Sequence, residues 1–157
     1  MDAGEWAAAN TALTDGFGKQ EAINVIELWR SRAADAVGID GAELAGPFQR
    51  HLTARGTGVP TNFCLILTAD EVHACKFDPR HISHPEWVEP DQFGKVVTSW
   101  PRSAVHAAEV EPGRMAWGVT FEIAGAKPIP CRTPALTKNP AAAIVISALG
   151  GELPGAA

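Results

Sequence analysis

The sequence predicts an α+β fold: N-terminal helices, then a curved antiparallel sheet forming a partly open barrel, closed by a C-terminal helix. Three observations carry that expectation. Apolar residues recur at helical spacing early in the chain, the period falls to two over 62–132, and a short apolar segment with a cap at each end follows.

The helical part comes first. Ala22, Ile26, Trp29, Ala33 and Ala36 follow a 4-3-4-3 spacing, and Val25 and Leu28 widen the stripe. Gly38 stands where a left-handed cap ends such a helix. A shorter helix is expected over 5–13, ended by Asp15-Gly16, and another over 47–55 with Pro47 in its first turn. The segment RGTGVPTN (55–62) then breaks the pattern. The expected organisation is a helical segment over 1–58, a barrel with its C-terminal helix over 59–151, and a flexible tail over 152–157.

In the strand region FCLIL and EVHACKF flank a short turn, KVVTSW leads into PRSAVHAAEVE, and MAWGVTFEI precedes AGAKPIPCR. Trp117, Val119, Phe121 and Ile123 alternate with Gly118, Thr120 and Glu122, as in a half-buried antiparallel strand. Its partner carries Pro128 and Pro130, two residues apart, so both missing donors lie along one side. That strand can pair normally through one side only and reads as an edge. At the C-terminal helix Asn139 caps, Pro140 suits the first position and Gly150-Gly151 ends it. A helix of about ten residues is marginal alone and must be stabilised by docking, here in the mouth of the sheet.

Composition narrows the function. Apolar residues at 46% and charged residues at 20% are ordinary for a globular chain. The net charge of −5 and the absence of a long basic run argue against nucleic acid and against a strongly anionic membrane. The opening MDAGEWAAAN has no secretory-signal pattern, and AAAIVISAL is too short to cross a bilayer. With an odd set of three cysteines, the expectation is a cytoplasmic protein.

Cys64, His73 and Cys75 pose the sharpest chemical question. With Ala69-Asp70 at the centre of the turn, Cys64 falls opposite Cys75, Ile66 opposite His73 and Leu67 opposite Val72. Counting out from the turn makes 64–75 a hydrogen-bonded pair, whose side chains splay apart, which disfavours a disulfide. Zinc ligands usually come in two pairs with short spacing, and none occur here. Burial in an apolar run also makes Cys64 a poor nucleophile. Small apolar cysteines packed in a hairpin are the expected reading.

Two further groups are candidates. His81 and His84, in HISHPEW with Asp78 and Glu86 nearby, form an H-x-x-H pair able to take a divalent ion, against the ordinary reading of solvated loop histidines. Trp100 and Arg102 at a strand junction, with Trp87 in the preceding loop, form a candidate binding spot, since Trp and Arg are enriched at interfaces. The ordinary alternative has Trp100 closing one end of the barrel with Arg102 over its ring. Phosphate-loop, dinucleotide and nucleophile-elbow motifs are missing, and there is no tyrosine. No catalytic residue and no cofactor is expected.

The run LILTADEVHACKF, a loop, VVTSWPRSAVHAAEV, an alternating strand and a closing helix together resemble the bacterial PH-like (GRAM-like) domains, over about 60–150. The resemblance implies a partly open barrel plugged by the helix, in modules that bind lipid headgroups or proteins or serve assembly. Headgroup-binding relatives use basic residues around the first hairpin turn, whereas Thr68-Ala69-Asp70-Glu71 is acidic. The functional expectation is a non-enzymatic domain for protein interaction or assembly, with a protein partner or a second copy. The alternatives are a small-molecule or metal site between helices and barrel, drawing on His106, His73 or Arg102, and weak peripheral membrane binding.

Overall fold

A computed structural model describes residues 19–80, 88–111, 113, 116–133 and 139–152. The helix expected over 5–13, the candidate residues His81, His84 and Trp87, and the tail beyond Glu152 lie outside the described residues. The chain forms helix α1 (Lys19–Val37), then strands β1 (Leu44–Arg50), β2 (Asn62–Leu67), β3 (Glu71–Phe77), β4 (Phe93–Pro101), β5 (Val105–Glu111), β6 (Gly118–Ile123) and β7 (Ile129–Arg132), and finally helix α2 (Pro140–Ala148). Short 3-10 turns at Pro90–Gln92 and Arg102–Ala104 precede β4 and β5.

All seven strands belong to one antiparallel sheet in the order β4-β3-β2-β1-β7-β6-β5. The edges are therefore β4 and β5, yet only Arg102–Ala104 separates them in sequence. Laid flat, the edges would stand about 29 Å apart, six spacings of roughly 4.8 Å. The four-residue step from Pro101 to Val105 spans at most about 14 Å. The sheet must roll up, and because β4 and β5 do not pair it stays an open barrel. The α+β architecture expected from the sequence is thus present.

The helix expected over 47–55 is instead the end of strand β1 followed by loop from His51; the register of β1 with β2 runs from Leu44↔Leu67 to Gln49↔Asn62. Local signals misled here because β1 is buried along Leu44–Phe48 without alternation. Its pairing is long-range and leaves no periodic trace. Pro47 is tolerated for a specific reason. Arg50 N–H donates to Thr61 O at 2.7 Å, and alternation from that pair turns the Pro47 nitrogen away from β2. On that other side β7 reaches only Gln49 and Arg50.

The expectation for β7 needs a similar adjustment. It is not an outer strand of the sheet but lies between β6 and β1. The two prolines still limit it: pairing with β6 covers Ile129–Arg132, whereas pairing with β1 is confined to Cys131 and Arg132. Pro130 contributes only its carbonyl on that side, accepting from His51 N–H at 3.0 Å.

Two apolar clusters form among the described residues. Inside the barrel Phe48, Phe63, Leu65, Leu67, Val72, Trp117, Val119 and Phe121 meet Ile144, Val145 and Ile146 of α2. On the outer face Val25, Trp29 and Ala33 of α1 cover Ala45, Cys64, Ile66, Cys75, Phe77 and Phe93. Strand β2 is therefore buried on both faces, which explains its unbroken FCLIL run. Four of the five stripe residues of α1 are buried; Ala36 is exposed, and Val37 packs on the outer cluster in its place. Gly38 takes φ +72°, and its N–H donates to Ala34 O at 2.9 Å, ending the helix as expected. Helix α2 is apolar except for Ser147, with Ala141–Ile146 buried. Asn139 Oδ1 caps it by accepting from Ala141 N–H at 2.8 Å, and Leu149 O accepts from Ala107 N–H on the β5 edge at 2.9 Å.

Candidate functional site

The hairpin β2–β3 has the register expected from sequence, with Cys64 opposite Cys75, Ile66 opposite His73 and Leu67 opposite Val72. Thr68 N–H donates to Glu71 O at 2.9 Å, so the turn is the tight one. Cys64, Cys75 and Cys131 are free and buried. Burial pushes the Cys64 and Cys131 thiols up, well above the ordinary value. A hydrogen bond from Cys64 favours the thiolate at Cys75 and lowers that thiol, with shared burial opposing it. The upward shift at Cys64 is the direction that its zero exposure supports. The same α1 residues that bury the pair keep it from reagents in water, so these sulfurs pack rather than react. No group of three or more His, Cys, Asp or Glu side chains able to hold a metal occurs among the described residues.

His73 completes its bonding locally. Its Nδ1 is 2.7 Å from Ser99 Oγ, its directly opposite neighbour on β4, and its Nε2 is 3.6 Å from a Glu71 carboxylate oxygen. His106 lies exposed on β5 opposite Glu122. The space under α1 is filled by Trp29, whose ring lies tilted 5.2 Å from Phe77 and edge-on 5.9 Å from Phe93, while His73 lines the groove between Ile39–Gly41 and the β2–β3 turn.

Trp100 sits opposite Val72, half-buried, with its ring on the inner cluster. The side chain of Arg102 turns to Glu43 and donates to Thr68 O at 2.8 Å, while its backbone N–H donates to Asp70 O, also at 2.8 Å. Those partners hold it, in place of the expected stacking on Trp100. Arg102 is therefore a strut that fixes the β2–β3 turn. Beside that turn lies an open groove of about 480 Å³, lined by Ile39, Asp40, Gly41, Thr68, Asp70 and Glu71 among others.

At the other end of β1 and β2 the surface reverses its charge. The loop from His51 to Thr61 and the turn from Ala124 to Pro128 contain Arg55 and Lys127 and no carboxylate. They lie together because β7 pairs with the end of β1, and Lys127 Nζ would stand 3.1 Å from a methyl placed on Gly56. Arg50 fastens the loop from within: Nε donates to Val59 O at 3.1 Å and Nη1 to His51 O at 3.0 Å. Arg132 Nε donates to Gln49 Oε1 at 2.8 Å. Among these cations stands Leu52, 75% exposed, the one large apolar side chain so exposed among the described residues.

Sequence reasoning missed this end. The lack of acids in each segment is visible, but joining the two needs the long-range pairing of β7 with β1. The acidic turn at Thr68–Glu71 also proves to be the second hairpin of the sheet; the first is the basic loop between β1 and β2. At the β3–β4 corner of the same end, Asp78 and Asp91 are paired with Arg80. No helix of the described residues is long and apolar enough to cross a membrane. Comparison with protein-family models and with curated proteins finds no match.

Proposed function

We propose that the chain is a non-enzymatic domain for protein interaction or assembly, built on a PH-like scaffold. The observation that carries this reading is the filled interior. Helix α2 occupies the barrel with Ala142–Ile146, and the rings of Trp29, Phe77 and Phe93 occupy the space under α1. Distinctive chemistry among the described residues is thereby moved to the outside: an exposed leucine among cations, and an acidic groove. Open, charged surfaces of this kind suit contact with a macromolecule better than enclosure of a small substrate. The seven-strand order and the helix that fills the open barrel support the PH-like part of the reading.

Light scattering after size-exclusion chromatography, with a cross-linked pull-down from the native extract, tests this function. Self-association or a stoichiometric protein partner is the expected result. A strictly monomeric chain that captures no partner overturns it.

Leu52 with Arg55 and Lys127 favours a second reading, contact with an anionic lipid surface. The net charge of −5 opposes it at long range, so the protein reading ranks first. Sedimentation with phosphatidylserine vesicles that weakens with salt is what the lipid reading requires.

A further inference from the structure

We propose that the domain assembles head to tail, the Leu52 loop of one copy seating in the Ile39–Asp70 groove of the next. This rests on the assembly reading above and names its two surfaces and its partner, a second copy of the chain.

The two surfaces are fixed at opposite ends of the same strands. Leu44 pairs with Leu67 beside the groove, and Gln49 pairs with Asn62 beside the loop, so these two pairs lie about 17 Å apart along β1. Each end is rigidly built. Arg50 bonds the loop at Val59, His51 and Ala54, and Arg102 bonds the turn at Thr68 and Glu43. Neither surface therefore has to be ordered at the moment of contact.

The ends also complement one another. The loop offers a protruding apolar side chain flanked by Arg55 and Lys127, with no carboxylate in either segment. The groove offers an apolar residue, Ile39, rimmed by Asp40, Asp70 and Glu71, with His73 in its lining 3.6 Å from the Glu71 carboxylate. Burying Leu52 against Ile39 removes apolar surface from water, and the charges set the orientation. Two loops facing each other would set cation against cation, and two grooves would set carboxylate against carboxylate. A symmetric dimer through either surface is disfavoured, and the heterologous contact is left. It leaves one unused end on each copy, so it propagates into a chain or closes into a ring.

An anionic membrane would satisfy the loop but leave the groove without a role, and the excess of acidic groups on the rest of the chain would repel it.

The test uses the full chain and two variants at exposed positions. Leu52→Asp spoils the loop and leaves the groove intact; Asp40→Lys with Asp70→Lys spoils the groove and leaves the loop intact. Sedimentation velocity at about 0.02 M salt should show concentration-dependent association of the unaltered chain, weakening strongly by about 0.5 M. Each variant alone should associate about ten-fold more weakly or worse. Mixed in equal amounts they should form a one-to-one heterodimer that grows no further, because only one intact loop and one intact groove remain. Circular dichroism of each variant checks that the fold is kept.

Several results would overturn the proposal. An unaltered chain that stays monomeric at low salt does so, and if it still captures a different protein the interaction reading survives alone. Association that survives both variants places the contact elsewhere and leaves assembly standing. Association lost in the loop variant but kept in the groove variant means a symmetric contact. Binding to phosphatidylserine vesicles by a monomeric chain, lost with Leu52→Asp, makes the loop a lipid contact instead.

Discussion

Gly46 on β1 lies directly against the backbone of Ala141 on α2. A methyl group at position 46 would stand 2.7 Å from the Ala141 carbonyl oxygen and 2.9 Å from the Ala142 α-carbon. Backbone atoms at both ends of that contact cannot swing aside, so the absence of a side chain lets the helix sit on the strand. Gly46→Ala should destabilise the fold by about 1–3 kcal/mol. Urea unfolding checks it, as a lower midpoint with an unchanged slope.

Trp29 is the lid over the paired cysteines. Its ring is 2% exposed and packs on Phe77 and Phe93, within the same cluster as Cys64 and Cys75. In the native protein all three thiols should resist an aromatic disulfide reagent and react only on unfolding. Trp29→Ala should cost about 3–5 kcal/mol. It should also let Cys64 and Cys75 react faster than the chain unfolds, while Cys131, in the inner cluster, stays protected. Cysteine-resolved mass spectrometry separates the three.

The buried thiols also set a pH limit. Cys64 and Cys131 are raised by burial above the ordinary value of 9.0, so the folded state keeps protons that the unfolded state gives up. Their contribution is fully present below pH 9.0 and is lost as pH rises through the unfolded and then the folded value. With no tyrosine in the chain, phenols do not confuse that range. Cys75, lowered by the hydrogen bond from Cys64, acts in the opposite sense, so Cys131 gives the readout: the melting temperature should fall above pH 9.0, and Cys131→Ala should flatten that fall relative to its own value at neutral pH.

Arg102 joins three segments, through Glu43, Thr68 and the backbone of Asp70. Arg102→Gln should cost about 1–2 kcal/mol, since the Thr68 carbonyl and Glu43 are partly open to water. The sharper effect is local. The Thr68 amide, which closes the turn onto Glu71, should exchange with solvent faster while the middle of β2 stays protected.

What the sequence determined by itself is whatever short-range chemistry dictates. The left-handed stop at Gly38, the Asn139-Pro140 helix start and the Cys64–Cys75 register each follow from residues a few positions apart, whereas the edge position expected for β7 gave way to pairing with both β6 and β1. Only the tertiary structure decided the rest. Strand β1 carries no period because both its faces are buried, and its identity comes from β2 and α2, the latter almost a hundred positions away. With β1 in the sheet, the basic loop becomes its first hairpin, and Arg55, Lys127 and Leu52 come together at one end. The reason is physical. A turn or a cap is fixed by local sterics and hydrogen bonds, whereas a surface is made by whichever distant strands close upon one another.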